Sequence, residues 1–128
     1  MTDARSPRGR GFPRDRRITR GSEIRALFKR GKRSRTPHVD VLYSDSPASY
    51  SRVGVVVPRY GNTAVRRNRV KRRLKEALRR EILPRLDQDG RAARDVLVRA
   101  RREAYDTSYA RLAGELVEWV ERRWPGSS

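Results

Sequence analysis

The sequence predicts an α+β fold, a small sandwich of a sheet and helices, and three observations lead there. The chain has 128 residues, the size of one compact domain. Its apolar residues follow a helical spacing in some stretches and form short, nearly continuous runs in others. These stretches come in the order helix, two or three strands, helix, strand, helix, and a strand, a long helix and a further strand suggest a βαβ unit. No internal repeat at a solenoid period competes with this order. The order of strands within the sheet cannot be read at this level.

Residues 1–16 are dominated by Arg, Gly and Pro, with Phe12 the only large apolar side chain before Ile18, and read as a disordered basic tail. The folded domain is expected over 17–124, with 125–128 a short C-terminal tail. Ser22 to Arg30 reads as a short helix: Ser22 can cap it, Ile24, Leu27 and Phe28 share one face, and Gly31 can end it. Val39, Val41 and Tyr43 alternate with His38, Asp40 and Leu42, which suggests a strand, and 44–51 reads as a turn or loop. Val53 to Val57 is the apolar run of a strand covered on both faces, ended by Pro58. Thr63 to Leu83 is the longest helical segment, with Thr63 as N-cap, an apolar stripe of Val70, Leu74, Ala77 and Leu78, and Pro84 as the stop. After a loop over 87–91, Asp95 to Ala100 reads as a buried strand. A last helix, from Asp106 or Thr107 to about Arg123, packs through Tyr109, Leu112, Ala113, Leu116 and Val120. Trp119 and Trp124 are expected to close the core at its rim.

Charge narrows the partner. Lys and Arg number 33 against 15 Asp and Glu, a formal net charge of +18. Such an excess repels itself in a compact fold and calls for a polyanion. No apolar run approaches the roughly 20 residues that span a bilayer, and the charged N-terminus lacks the apolar region of a signal peptide, so no membrane partner is expected. The chain has no Cys, hence no disulfide or thiolate metal site, which fits a cytoplasmic protein.

The charge concentrates on the long helix, in Arg66, Arg67, Asn68, Arg69, Val70, Lys71, Arg72, Arg73, Leu74 and Lys75. Cations in a first turn oppose the helix dipole, so helix stability does not explain Arg66 and Arg67; an anion lying there would. Backbone N–H groups at a helix start and Arg forks together form a phosphate site. Positions 69, 72, 73, 79 and 80 lie away from the apolar stripe, and Lys71 and Lys75 flank it. An ordinary solvated face mixes signs, whereas Glu76 is the only acid between 66 and 80.

Arg67-Asn68-Arg69 followed by Val70-Lys71-Arg72 resembles the signature of the bacterial ribonuclease P protein family, and Gly61 to Val65 resembles the segment that precedes it. Ile24 to Gly31 resembles that family's first helix and its exit, Tyr43 its aromatic on an early strand, and Arg52-Val53-Gly54 the start of its next strand. The match runs from about Arg16 to Trp124. The resemblance implies a central, mostly antiparallel sheet with a left-handed βαβ crossover, like a domain of some ribosomal proteins and a translation factor. It implies RNA-catalysed hydrolysis that requires Mg2+, with no cofactor bound by the protein alone and no obligate protein partner. The partners it implies are the ribonuclease P catalytic RNA and precursor tRNA. Arg66, Arg67, Asn68, Arg69, Lys71, Arg72, Arg73 and Lys75 would bind the catalytic RNA. Ile24, Phe28, Tyr43, Arg59 and Tyr60 would line a cleft, between the sheet and the first helix, for the single-stranded 5′ leader. The chain departs from the family at Ile24, where an aromatic is common, and at Pro58-Arg59-Tyr60, where Tyr60 replaces a cation.

Other readings carry less. Phe28 serves equally as core or as a stacking platform. His38, the single histidine, has no evident ligand set and reads as a strand histidine. No catalytic constellation stands out, so the protein alone is expected to be inert. A ribosomal or other structural RNA-binding protein would present a similar helix. So would a DNA-binding protein, though no helix-turn-helix or zipper is evident.

Overall fold

In the computed structural model, which describes residues 14–88 and 90–125, the chain enters through a 3-10 turn at Arg14–Arg16. Arg16 donates to Ser51 O at 2.7 Å and to Asp87 Oδ2 at 2.6 Å, and Ile18 N–H reaches Val53 O at 2.8 Å. Order therefore begins inside the segment read as a tail; the rest of that tail and residues 126–128 lie outside the described residues.

Helix α1 spans Gly21–Arg30. Its N-cap is Arg20, without a side-chain cap, so Ser22 falls within the first turn rather than capping it. Gly31 ends it for a steric reason: its N–H bonds Leu27 O at 2.9 Å, and a Cβ there would stand 2.6 Å from that oxygen. Strand β1 (Lys32–Arg35) follows, then β2 (Val39–Asp45) and β3 (Arg52–Val56). β1 gave no strand signal because it is a charged edge strand, ordered by its ladder with β2 from Lys32↔Tyr43 to Arg35↔Asp40.

Helix α2 spans Ala64–Ala77, with Thr63 Oγ1 accepting from Arg66 N–H at 3.2 Å. Val70, Leu74, Ala77 and Leu78 are buried as the stripe predicts. Pro84 does not stop the helix. A π-helical turn at Leu78–Ile82 leads into a last α-turn at Leu83–Leu86. A proline ring meets the carbonyl four residues back in a regular helix, and the wider turn opens that space.

Strand β4 (Arg94–Ala100) leads through a 3-10 turn at Arg102–Asp106 into α3 (Tyr109–Arg123). The cap of α3 is Ser108, whose Oγ accepts from Arg111 N–H at 3.1 Å, so α3 starts later than Asp106 or Thr107.

The sheet order is β1-β2-β4-β3. β2 pairs antiparallel with β1 and β4, and β3 runs parallel to β4, which makes β3-α2-β4 the βαβ unit. Two cores sandwich the sheet. Val39, Val41, Tyr43, Val96 and Val98 face α2 and α3, while Leu42 and Leu97 face Leu27 of α1 and Ile18. Trp119 is buried in the larger core and Trp124 packs half-buried against it. Glu115 of α3 ties that helix to the turn before β2: its carboxylate accepts from Thr36 Oγ1 and from His38 N–H (2.9 Å) and meets His38 Nδ1 at 2.7 Å. His38 thus sits just before the strand and holds a half-buried carboxylate.

Gly54 lets the entering segment lie directly on β3, since a Cβ there would stand 2.8 Å from Ile18 O and 2.9 Å from Leu97 Cδ1. Gly54→Ala is expected to destabilise by about 1–3 kcal/mol through overpacking. Gly114→Ala, in α3 with open space around the new methyl, should stabilise by about 0.5–1 kcal/mol. Urea denaturation of both variants checks the opposite signs.

Candidate nucleic-acid interface

The turn before α2 fixes where its cations point. Tyr60 (φ 50°) and Gly61 (φ 84°) reverse the chain after β3. The Tyr60 hydroxyl donates to Ala100 O at 2.8 Å, and the Tyr105 hydroxyl to Pro58 O at 2.6 Å. The two rings meet edge-on with centroids 6.2 Å apart, and Arg102 lies 4.8 Å above Tyr60. Asn62 N–H and Nδ2 both donate to Arg59 O, and Arg67 Nε donates to Val57 O at 2.8 Å. The first turn of α2 is therefore anchored at the end of the sheet where β3 and β4 finish.

The basic side chains of α2 divide into committed and free. Arg66 bonds Asn62 Oδ1 (2.5 Å) and Asp106 Oδ1 (3.1 Å), and Arg73 donates to Thr107 O at 2.8 Å. Glu76, near the end of α2, holds Arg79 at 2.6 Å and Arg80 at 3.8 Å in the turn that follows. Asn68, Arg69 and Arg72 are exposed and make no side-chain hydrogen bond among the described residues. Val65, 68% exposed, stands beside them. With no acid in its first turn, the helix leaves the positive field of its N-terminus uncompensated, and the free Arg69 and Arg72 follow within the next two turns.

Lys71 and Lys75 turn toward α1. They share a cavity of about 290 Å3 with Arg17, Ile24 and Gly54. Arg17 Nε is buried there without a hydrogen-bond partner. Burial first, then the charges of Lys71 and Arg17, push the Lys75 ammonium below its ordinary value. Three cations around one cavity form a site an anion would complete. Arg17 was missed from the sequence because it looked like one more basic residue at the edge of a basic tail.

The five residues assigned to the leader cleft do not share a surface. Ile24 and Phe28 are half-buried on α1 against the smaller core, and the Arg33 guanidinium lies 5.9 Å above the Phe28 ring. Tyr43 is a correction. It lies on the opposite face of the sheet, edge-on to Trp119 and Trp124, and its hydroxyl accepts from Arg123 Nε at 2.8 Å. Strand alternation gives the α1 side to Leu42. Tyr60 packs against the larger core beside Tyr105, so it too stands apart from α1, and Arg59 is exposed in the loop after β3.

Register shows what the α1 side offers instead. Arg33, Leu42, Leu97 and Gly54 form one cross-strand row, on which α1 packs. Arg35, Asp40, Arg99 and Val56 form the next row, nearer the start of α2. Asp40 lies 3.5 Å from Arg35 and 3.8 Å from Arg99, and its Oδ1 is buried without a hydrogen bond. Arg33 and Arg35 escaped the sequence reading with the edge strand that carries them. Among the described residues no group of three or more His, Asp or Glu converges as a metal site would require.

The profile of the family described as Ribonuclease P matches residues 12–123. The ribonuclease P protein component of Desulfovibrio desulfuricans is 39% identical over 126 residues, covering 91% of this chain and 92% of that protein. That of Mycolicibacterium vanbaalenii is 37% identical over 114 residues, covering 87% and 92%. Among solved structures, the ribonuclease P protein of Thermotoga maritima superposes with a TM-score of 0.66 at 26% identity, over 83% of this chain and 96% of that one. That of Staphylococcus aureus gives 0.70 at 21% identity, over 85% and 95%, a likeness of fold.

Lys75 is expected to titrate below 10.5 in the free protein. The penalty on its charged form is present at neutral pH and is relieved as pH rises toward 10.5, so this group adds stability with pH in that interval. Filling the cavity with an anion should return the titration upward. Carbon-detected NMR of the lysine side chains checks both, and a free-protein Lys75 titrating at or above 10.5 would contradict the crowding of charge described here.

Proposed function

The chain belongs to the ribonuclease P protein family, the RNA-binding subunits of a tRNA-processing endoribonuclease, and on that premise we propose a division of its surface between two RNAs. The free cations at the start of α2 bind the catalytic RNA. The strip beside α1 receives the single-stranded 5′ leader of precursor tRNA. The observation that carries the first assignment is the trio Asn68, Arg69 and Arg72, exposed on α2 and without a side-chain hydrogen bond among the described residues, while the neighbouring Arg66, Arg67 and Arg73 are already committed. Arg69 and Arg72 serve as phosphate forks, while Asn68 donates and accepts, which suits a ribose or base edge. Arg66, Arg67 and Arg73 hold the helix in place and add field; Lys71 and Lys75 reach the flank near α1.

For the leader, Phe28 offers one ring face, Ile24 an apolar shoulder, and Arg33, Arg35 and Arg99 the charge that follows a backbone. An unpaired strand has exposed base faces and phosphates on its two sides, which an aromatic and apolar strip with cationic edges matches without reading sequence. Arg59 extends the cationic edge; Tyr43 is left out of this surface. The protein works in the cytoplasm, where precursor tRNA is made.

The chemistry belongs to the RNA. Mg2+ held by the RNA would supply the Lewis-acid chemistry, and the protein contributes binding and orientation. Several of its carboxylates are engaged with its own arginines, as Asp95 is with Arg52 and Glu121 with Arg85. RNA-free protein is therefore expected to leave precursor tRNA uncut, and adding the catalytic RNA with Mg2+ to restore removal of the leader. Cleavage by rigorously RNA-free protein would refute this.

The two surfaces should fail separately. Arg69→Ala is expected to weaken binding of the catalytic RNA by about 1.5–3 kcal/mol with or without substrate. Phe28→Ala should leave that affinity intact and weaken binding of leader-bearing precursor tRNA, relative to mature tRNA, by about 1–3 kcal/mol. With about 6–8 phosphates contacted, log K should fall with log salt at a slope of roughly −4 to −7. Filter binding across salt, with thermal melts to certify folding, measures all three. A slope near zero would remove the charged face from the interface.

A further inference from the structure

Positive charge gathers a second time at the end of the sheet farthest from the start of α2. Register sets the separation. Val39 pairs with Ala100 at one end of the central strands, where Tyr60 anchors the α2 turn, and Asp45 pairs with Arg94 at the other. Six strand steps put these ends about 20 Å apart. At the far end a cavity of about 390 Å3 opens between the exit of α1, the start of β1, the end of β2 and the end of α3. Arg30, Lys32, Arg94 and Arg123 surround it, over Tyr43 and Trp124.

The aromatic rings hold two of these forks in place. The Arg94 guanidinium lies 4.4 Å above the Trp124 ring, and that of Arg123 lies 5.1 Å above Tyr43, whose hydroxyl it also binds. Asp45 is the one carboxylate on the wall, and among the described residues none of the four cations has an acid within 4.0 Å. Burial, then Arg91, push the Arg94 guanidinium below its ordinary value; Asp45 opposes this and Arg123 adds to it. Helix dipoles account for a cation at the exit of α1 or of α3 taken singly. They do not account for Lys32 and Arg94 arriving at the same cavity from two strands.

We propose that this cavity is a second phosphate-binding site, which seats a backbone phosphate of the RNA partner at the opposite end of the sheet from α2. The proposal rests on the reading of the chain as a binder of the catalytic RNA. Arg94 and Arg123 present preset N–H donors, and Arg30 and Lys32 add charge at the rim. No base-edge reader stands at the site, so it anchors RNA without specifying sequence. The protein then grips its RNA at two points about 20 Å apart, on either side of the leader strip, and resists rotation about α2.

Inorganic phosphate shares this chemistry, and the test separates it from RNA. The full chain is titrated with inorganic phosphate while arginine Nε–H signals are followed by NMR, and catalytic-RNA affinity is measured across salt. The variants are Arg94→Gln/Arg123→Gln, Arg30→Gln/Lys32→Gln and, on α2, Arg69→Gln. Phosphate should shift the Arg94 and Arg123 signals. Each double variant should weaken RNA binding about tenfold and make the log–log salt slope shallower by about 1. Arg30 and Lys32 are exposed, so their variant answers even if the other unfolds. Wild-type affinity and slope in Arg30→Gln/Lys32→Gln, with Arg69→Gln weakened, would overturn this site and leave the α2 reading standing. Phosphate shifts with unchanged RNA affinity would leave a free-anion site and overturn the RNA assignment. Weakening in both double variants with Arg69→Gln at wild-type affinity would uphold this site and sink the reading of α2.

Discussion

Thirty-three basic side chains share this chain with 15 acidic ones, so the fold depends on where the scarce carboxylates go. They go to the framework. Asp95, with a side chain 5% exposed, takes both forks of Arg52, and Glu23 takes a third N–H of the same guanidinium. Hydrogen bonding to Asp95 holds the Arg52 charge in place, against its burial. Asp87 fastens the entering segment through Arg16, Glu121 and Glu81 brace Arg85 in the α-turn at Leu83–Leu86, and Glu115 secures α3 to the turn before β2. Each of these joins elements or closes a helix turn. Among the described residues, the cations without an acid partner include Arg69 and Arg72 on the outward face of α2, Lys71 and Lys75 at the cavity beside α1, and Arg94 and Arg123 at the far end of the sheet. A distribution of this kind stabilises the scaffold by local neutralisation while the surfaces keep their charge.

Much of this was legible in the residues, and what was not has physical reasons. Segments whose packing face is written in their own sequence came through: the Val70, Leu74, Ala77 and Leu78 stripe, the Val53 run, and Thr63 as a cap. Segments ordered by a neighbour did not. β1 has no apolar residue to alternate and owes its strand to β2. Pro84 reads as a stop in any local grammar, yet a wider turn upstream accommodates it within the packed end of α2. Ser22 lost the cap position to Arg20 by two residues, a displacement that side-chain chemistry alone does not reveal.

The candidate sites divide along the same line. α2 displays its chemistry in a contiguous run, so all its basic residues were named; which of them are free required the partners that Val57, Asp106 and Thr107 supply from elsewhere. The strip beside α1 is assembled across four strands and a helix. A resemblance placed Tyr43 there, but β2 is buried on both faces, and one step along a strand exchanges them. Leu42 takes the α1 side, and Tyr43 packs against Trp119 and Trp124 and, with Trp124, floors the far cavity.

Part of what aims the start of α2 precedes it in the chain, as Val57 does in accepting from Arg67, and part comes from residues that leave the ribosome after it. Ala100 receives the Tyr60 hydroxyl, Tyr105 binds Pro58, Asp106 holds Arg66, and Thr107 accepts from Arg73. A nascent chain that has emerged only as far as Ala77 carries the helix's charge without its orientation. It can attract nearby polyanions through that charge, but the anchored geometry must wait until the chain has emerged past Thr107 and β4 has entered the sheet. The crossover topology thus times recognition: the charged helix is synthesised before the residues that complete its anchoring.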